Sequence, residues 1–318
     1  ATQPLRTADG QRVLLGANVG RPEEAAAALA AGAEAIGLFR TEFMFMGRQR
    51  PPDEETQAAA YAQVLAAFDP RPVVIRLIDL GGDKDLPYLG LPREENPFLG
   101  VRAIRLARRD PELQLTQLRA ILRAGARTGT TPWVMAPMVA DADDVALLHD
   151  LCDRAAAAVP DGVAIRRGIM VEIPSAALLS HDLAGRVDFM SIGTNDLTQY
   201  LLAADRTNAE LAAYQDALHP AVIRAVRATV EGGRAAGIPV AVCGELAGDP
   251  AGAVVLAGLG VDELSMEASA FGAVKRALGS VSLADAGAVA ARAADANGAA
   301  AVRAMVDELL AGPVATAG

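Results

Sequence analysis

The chain has 318 residues, 52% of them hydrophobic, 21% charged and only 4% aromatic, with a net charge of −10 and a sequence pI near 4.9. This is a globular composition, not a disordered one, and the acidic balance argues against nucleic acid as a main partner. No apolar run approaches ~18–20 residues, so no membrane span is expected.

The first residue is not Met, and no charged–apolar–small leader opens the chain, which reads as a processed product or a piece of a longer protein. Cys152 and Cys243 form neither a disulfide framework nor a CxxC site, and a reducing cytoplasm is the simple expectation.

In chain order, Val13 to Val19 reads as a buried strand. Pro22-Glu23-Glu24 opens a helix that ends near Gly32, with proline and acids where a helix N-terminus accepts them. Ala35 to Phe39 is a second strand, followed by Arg40-Thr41-Glu42. Asp53 to Phe68 has helical spacing, and Val73 to Asp79 is a third strand that carries Arg76 and Asp79 in an apolar run. The polar loop Gly81 to Gly100 follows; a loop of that length in a compact domain is usually functional.

Helices are expected over Val101–Ala107 and Pro111–Ala126, a strand over Trp133–Val139, and a helix over Asp143–Val159. Gly168 to Ile173 is a strand with Glu172 at its end, Pro174 to Ala184 a short helix, and Phe189 to Ile192 the next strand. A helix over Pro220–Ala236 leads to a strand, Pro239–Cys243, that ends at Gly244-Glu245. Pro250–Gly258 is a helix, Asp262–Met266 a short strand, and helix resumes near Ser269.

Strands alternating with helices about eight times predict an α/β fold, a closed (β/α)8 barrel of the TIM type. The runner-up is a doubly wound open sheet. The barrel is preferred because polar residues fall at the C-terminal end of strand after strand, and a barrel gathers those ends on one face. One domain over 1–311 is expected, with a core of about 12–279, Ala-rich helices over 283–311 and a flexible tail at 312–318.

The stretch Ser191-Ile192-Gly193-Thr194-Asn195-Asp196-Leu197-Thr198-Gln199-Tyr200 is strand, polar turn, then helix. Gly193 allows close approach or a positive φ, and Thr194 and Asn195 are good N-cap residues. Helix amides there suit a phosphate, and the Asp196 carboxylate beside one requires a cation. Glu172, on the neighbouring strand, is the second acid; Mg²⁺ typically takes one or two carboxylates plus substrate oxygens and water. Arg40 and Arg76 would pair with Glu42 or Asp79 as structural arginines, or with Arg206 would form a cationic pocket for phosphate or carboxylate. Arg102 is open to a helix-surface salt bridge or to a place in that pocket.

Cys243 reads as a small buried hydrophobe, or as a thiol at the barrel mouth that bound anions keep protonated, ready to donate a proton. His149, His181 and His219 lack zinc-ligand spacing and suit surface or capping roles.

These motifs, in order, resemble a known family. Gly37-Leu38-Phe39-Arg40-Thr41-Glu42-Phe43, Gly81-Gly82-Asp83-Lys84, Glu94 to Gly100, Met170-Val171-Glu172-Ile173-Pro174, Gly193 to Tyr200 and Cys243 to Asp249 are similar to the phosphoenolpyruvate-binding domain of Enzyme I of the bacterial sugar phosphotransferase system. The resemblance runs from about Leu15 to Leu278. It implies a barrel that binds phosphoenolpyruvate and Mg²⁺, with Arg40, Arg76, Asn195, Asp196 and Arg206 on the substrate, Glu172 and Asp196 on the metal, and Cys243 protonating the enolate carbon as pyruvate forms.

It also implies a homodimer, a phosphoryl-accepting histidine on an N-terminal domain, and the carrier HPr beyond it. This chain has no Gly-Gly-x-x-Ser-His-type segment, so the acceptor is expected elsewhere. Pyruvate phosphate dikinase and phosphoenolpyruvate synthase share some motifs, but usually carry a His-Gly-Gly-like segment where this chain has Leu246-Ala247-Gly248. A non-catalytic, phosphoenolpyruvate-sensing dimerisation module is the remaining alternative.

Overall fold

Apolar strands and amphipathic helices alternate through the computed structural model, which describes residues 3–81, 88, 90, 92, 94–159 and 162–312. The first half comprises β1 (Leu14–Val19), α1 (Glu24–Ala30), β2 (Ala35–Phe39), α2 (Glu54–Phe68), β3 (Val73–Arg76), α3 (Ile104–Ala107), α4 (Glu112–Thr128), β4 (Trp133–Ala136) and α5 (Ala142–Ala157). The second comprises β5 (Arg166–Val171), α6 (Pro174–Leu178), α7 (Ser180–Ala184), β6 (Phe189–Ile192), α8 (Thr194–Leu202), α9 (Pro220–Ala236), β7 (Val240–Val242), α10 (Pro250–Leu259), β8 (Glu263–Met266), α11 (Phe271–Gly279), α12 (Leu283–Ala293) and α13 (Ala299–Ala311).

The strands pair in sequence order, all parallel, and the ring closes where Leu14 to Ala17 of β1 meet Glu263 to Met266 of β8. This is the (β/α)8 barrel that the sequence predicts. Successive strand residues point to opposite faces. Leu38, Val74, Met135, Met170, Phe189 and Cys243 therefore fill the barrel as one buried cluster, with Trp133 against it. Their neighbours Phe39, Ile75, Val134, Ile169 and Val242 face outward into the larger core beneath the helices.

The floor of the barrel holds a carboxyl group. A Cβ on Gly16 would lie 2.1 Å from Glu263 Oε1, and one on Gly37 2.2 Å from it. Only glycine leaves room there for the acid. Oε1 is shut from solvent with no hydrogen-bond partner among the described residues, although the residue as a whole is partly exposed. Burial, then the Glu34 and Asp262 carboxylates, push Glu263 up to about 7.

Several boundaries differ from the sequence reading. The expected helix over 174–184 divides at Leu179 into α6 and α7, while the helices expected over 283–311 are α12 and α13, separated at Gly298, which takes φ 130. Helix α9 matches its expected span: Pro220 starts it, His219 Nδ1 accepts from Ala221 N at 3.2 Å, and left-handed Gly237 ends it. Helix α12 packs on α10, and α13 packs on both. Gly82, Asp83 and Lys84 of the Gly81 motif, and 313–318 of the expected tail, lie outside the described residues.

Candidate active site at the C-terminal mouth of the barrel

Arg76 is the last residue of β3 and points into the barrel. Its Nη2 lies 2.9 Å from Glu42 Oε1 and its Nη1 3.5 Å from Asp79 Oδ2. Burial works against its charge, but the Glu42 and Asp79 carboxylates hold it protonated more firmly than usual. Thr41 Oγ1 donates to Arg76 O at 2.9 Å, which ties the turn after β2 to the end of β3. Arg40, half-buried at the end of β2, forms no ion pair among the described residues.

Arg102 proves to be buried, which removes the helix-surface reading. It donates to both oxygens of Asp79, Nε to Oδ1 at 3.0 Å and Nη2 to Oδ2 at 2.8 Å. Its Nη2 also lies 3.6 Å from Asp196 Oδ2, and its Nη1 donates to Tyr200 Oη at 3.3 Å.

Glu172 follows β5 and is 1% exposed. Its Oε1 accepts from Met138 N at 2.7 Å, and Met138 takes φ 61 to present that amide. A left-handed conformation is uncommon for a residue with a Cβ, so the backbone carries strain where it holds the carboxylate. Burial first, then Asp196 and Asp79, push Glu172 well above the usual carboxylate range.

The segment after β6 departs from its expected form. Helix α8 begins at Thr194, one of the residues expected to cap it, and its N-cap is Gly193, with no side-chain cap. Gly193 keeps a negative φ of −88; what demands glycine is closeness, since a Cβ would stand 2.9 Å from Glu172 Oε2. Asp196 thereby falls in the first helical turn, 6% exposed, with Arg206 Nη1 3.3 Å from its Oδ1. Asn195 and Glu245 exchange hydrogen bonds, Nδ2 to Oε1 at 3.0 Å and Glu245 N to Oδ1 at 2.9 Å. Arg206 and Arg102 both lie over the Phe98 ring, at 5.7 and 5.9 Å.

Cys243, one residue past β7, is 2% exposed; its Sγ lies 3.7 Å from Ile192 O. Burial pushes the thiol up to about 11, so the protein interior holds its proton without any bound anion. Asn18 Nδ2 donates to Cys243 O at 3.0 Å and fixes that backbone.

A cavity of about 330 Å³ opens at this mouth, and Arg40, Arg76, Glu172, Asn195, Asp196, Arg206 and Cys243 all line it. The structure thus brings every predicted site residue to one place. Apart from the Arg206 ion pair, Asp196 Oδ1 makes no hydrogen bond among the described residues although buried, and Asp196 lines the same cavity as Glu172. Among the described residues no group of three or more His, Cys, Asp and Glu side chains could enclose a metal ion. Two carboxylates with one unsatisfied oxygen suit Mg²⁺, which completes its shell with water and substrate oxygens.

Residues 1–283 match the family described as PEP-utilising enzyme, PEP-binding domain. The chain belongs to that family. A multiphosphoryl transfer protein of Xanthomonas campestris pv. campestris is 50% identical over 86% of this chain and 33% of its own length. The phosphoenolpyruvate-protein phosphotransferase of Geobacillus stearothermophilus is 47% identical over 83% of this chain and 46% of its own. That of Bacillus subtilis is 44% identical over 84% and 47%. This PEP-binding domain therefore spans about a third to a half of the relatives it matches. A HpcH/Hpal aldolase/citrate lyase family protein from Burkholderia cenocepacia J2315 has a TM-score of 0.51 at 20% identity, over 83% of this chain and 91% of that one, which shows a shared fold alone.

Some residues around the PEP-binding domain's cavity were not singled out by sequence. Glu42 lay in a recognised motif only as a possible partner of Arg76. Phe98 and Tyr200 gave no signal of their own, because an aromatic in a motif does not say which arginine it will meet.

Proposed function

We propose that this domain binds phosphoenolpyruvate together with Mg²⁺ and releases pyruvate as the phosphoryl group passes to a histidine supplied from outside this chain. The observation that carries this reading is a single cavity that gathers an arginine with no ion-pair partner among the described residues, two buried carboxylates and a protonated thiol. None of the three histidines is among its lining residues. The relatives' names favour transfer to a protein over the dikinase or synthase alternative.

In this reading Arg40, Arg76 and Arg206 face the phosphate and carboxylate of the substrate, and Asn195 orients it from the first turn of α8. Guanidinium forks offset the charge that spreads over the phosphoryl oxygens as the bond to the enol oxygen breaks. Glu172 and Asp196 would hold Mg²⁺, which supplies further charge neutralisation at the phosphoryl oxygens. The electron pair left on the enol oxygen generates an enolate, and its terminal carbon takes the Cys243 proton to complete the pyruvate methyl group. The resulting thiolate is returned to thiol by solvent before the next turnover. The resemblance further supports a homodimer, a cytoplasmic setting and HPr as the onward acceptor.

Titration calorimetry tests the reading. Phosphoenolpyruvate should bind in the presence of Mg²⁺ and lose affinity in excess chelator. Undiminished binding in chelator would remove Glu172 and Asp196 from a metal role, and no binding in either condition would end the proposal.

A further inference from the structure

Beyond α8 the chain makes a long connection to α9, residues 203–219, and this connection carries Arg206. Between Ala204 and Leu218 no residue of it is buried. Ala204 and fully buried Leu218 fix its two ends in the core, and between them its position comes from polar ties. Two of these are local: Arg206 N donates to Gln199 Oε1 at 2.9 Å, and Gln215 Nε2 donates to Asp205 O at 3.2 Å and Asn208 O at 3.1 Å. Gln215 thus fastens the far limb of the connection to the residue before Arg206.

The tie that holds the far limb comes from outside. Arg303, on α13, donates from Nε to Asp216 Oδ2 at 2.8 Å and from Nη2 to Asp216 Oδ1 at 3.0 Å. Its remaining nitrogen, Nη1, reaches Asp249 Oδ2 at 2.8 Å. Asp249 in turn caps α10 through Ala251 N at 2.9 Å and follows the turn that carries Glu245, the partner of Asn195. One guanidinium therefore joins the loop after β6 to the loop after β7. Val302 and Val306 are fully buried on either side of Arg303 along the helix, so α13 is a fixed base. A cavity of about 550 Å³ is lined both by the site residues Asn195, Arg206 and Glu245 and by the clamp residues Asp216, Asp249 and Arg303.

We propose that Arg303 is a positioning residue for phosphoenolpyruvate binding, acting through the Asp216–Gln215–Asp205 line to set Arg206 at the mouth. It lies on the C-terminal helix α13, beyond residues 1–283, where the family match ends. Bidentate geometry and a second acid distinguish it from an ordinary surface pair, which contributes little.

The inference rests on the proposed phosphoenolpyruvate reading, and two measurements on the full chain separate the two. In calorimetry with Mg²⁺, Arg303→Ala should weaken phosphoenolpyruvate binding about 5-fold or more. In an Arg206→Ala background the same change should cost less than about twofold, because coupled residues are not additive. Asp216→Asn, which breaks only the loop side, should reproduce the loss if Arg303→Ala folds poorly, and Arg303→Lys should restore part of it. Equal loss in both backgrounds, or none in either, would overturn the proposal. Amide hydrogen exchange without ligand gives the second measurement: exchange over 204–217 should quicken in Arg303→Ala and Asp216→Asn. If the parent chain binds no phosphoenolpyruvate, the functional reading fails, and unchanged exchange in both variants refutes the clamp itself.

Discussion

Arg40 and Arg76 stand at equivalent strand ends, yet they differ in what their removal would leave behind. Arg76 is buried between Glu42 and Asp79. Arg76→Ala would take away the ion-pair partner of buried Glu42 and one of the partners of Asp79, which Arg102 still holds, and loss of one partner of a buried pair typically costs about 3–5 kcal/mol. Arg40 has no such partner among the described residues, so Arg40→Ala should cost less than about 1 kcal/mol of stability. Denaturant unfolding should show that contrast, while calorimetry should show both variants weakened for phosphoenolpyruvate. The structural and binding readings of Arg76 are not exclusive: its guanidinium pairs with Glu42 and also lines the cavity. Cys243 makes a second residue-scale test. Its thiol, pushed up to about 11, should react with iodoacetamide far more slowly than an ordinary cysteine at pH 8, with the rate climbing as pH approaches 11. Cys243→Ala should still bind phosphoenolpyruvate. Fast labelling at pH 8 would mean that the thiol is not held protonated. Six of the seven candidate site residues were legible because each sits beside a strand end, a position that pattern alone identifies, whereas Arg206 lies in the connection beyond α8. Arg102 was not, since only the closed barrel brings residue 102 against Asp79 and Asp196.

At the scale of elements, the strands were readable because parallel strands are buried on both faces and appear as continuous apolar runs. Their ends were less so. Val73–Asp79 reads as one run, but pairing stops at Arg76, where the side chains turn from the sheet to the cavity. The early start of α8 was hidden for a similar reason: Thr194 and Asn195 favour caps in isolation, and here tertiary closeness places the cap at Gly193 instead. The barrel floor, where β1, β2 and β8 meet, makes a pH-dependent contribution. Glu263 has its folded pKa raised from 4.5 to about 7. Below both values the acid is neutral in either state and costs nothing. As pH rises from 4.5 to about 7 the unfolded chain sheds its proton first, so stability from this group falls, by at most about 3 kcal/mol. Glu263→Gln should remove that loss and raise the melting temperature at pH 8 more than at pH 5. An equal shift at both would show that the carboxyl is not titrating in the floor.

Across the whole molecule, the acidic excess of the sequence conceals a local balance. The net charge of −10 suggested only that cations must be concentrated somewhere. Among the described residues, four guanidinium groups at the mouth, on Arg40, Arg76, Arg102 and Arg206, meet five carboxyl groups, on Glu42, Asp79, Glu172, Asp196 and Glu245. The site is thus a nearly compensated array and not a basic funnel. A phosphate and a carboxylate on one small molecule bring about three negative charges, and a divalent cation cancels two. Substrate and metal together therefore enter almost as a neutral pair. Long-range attraction would contribute little to capture, and affinity should rest on short contacts that a salt atmosphere does not reach. Phosphoenolpyruvate affinity measured in saturating Mg²⁺ should change less than about threefold between roughly 50 and 300 mM potassium chloride. A steep decline would mean that the mouth is electrostatically open to bulk ions, and that the balance of charges around Arg76 and Arg102 is not what the ligand meets. For a protein with so negative an exterior, the balanced mouth has a further consequence in a crowded solution of metabolites. Simple phosphates and carboxylates arriving without a cation find no surplus of positive charge to hold them, so discrimination begins before any shape is read.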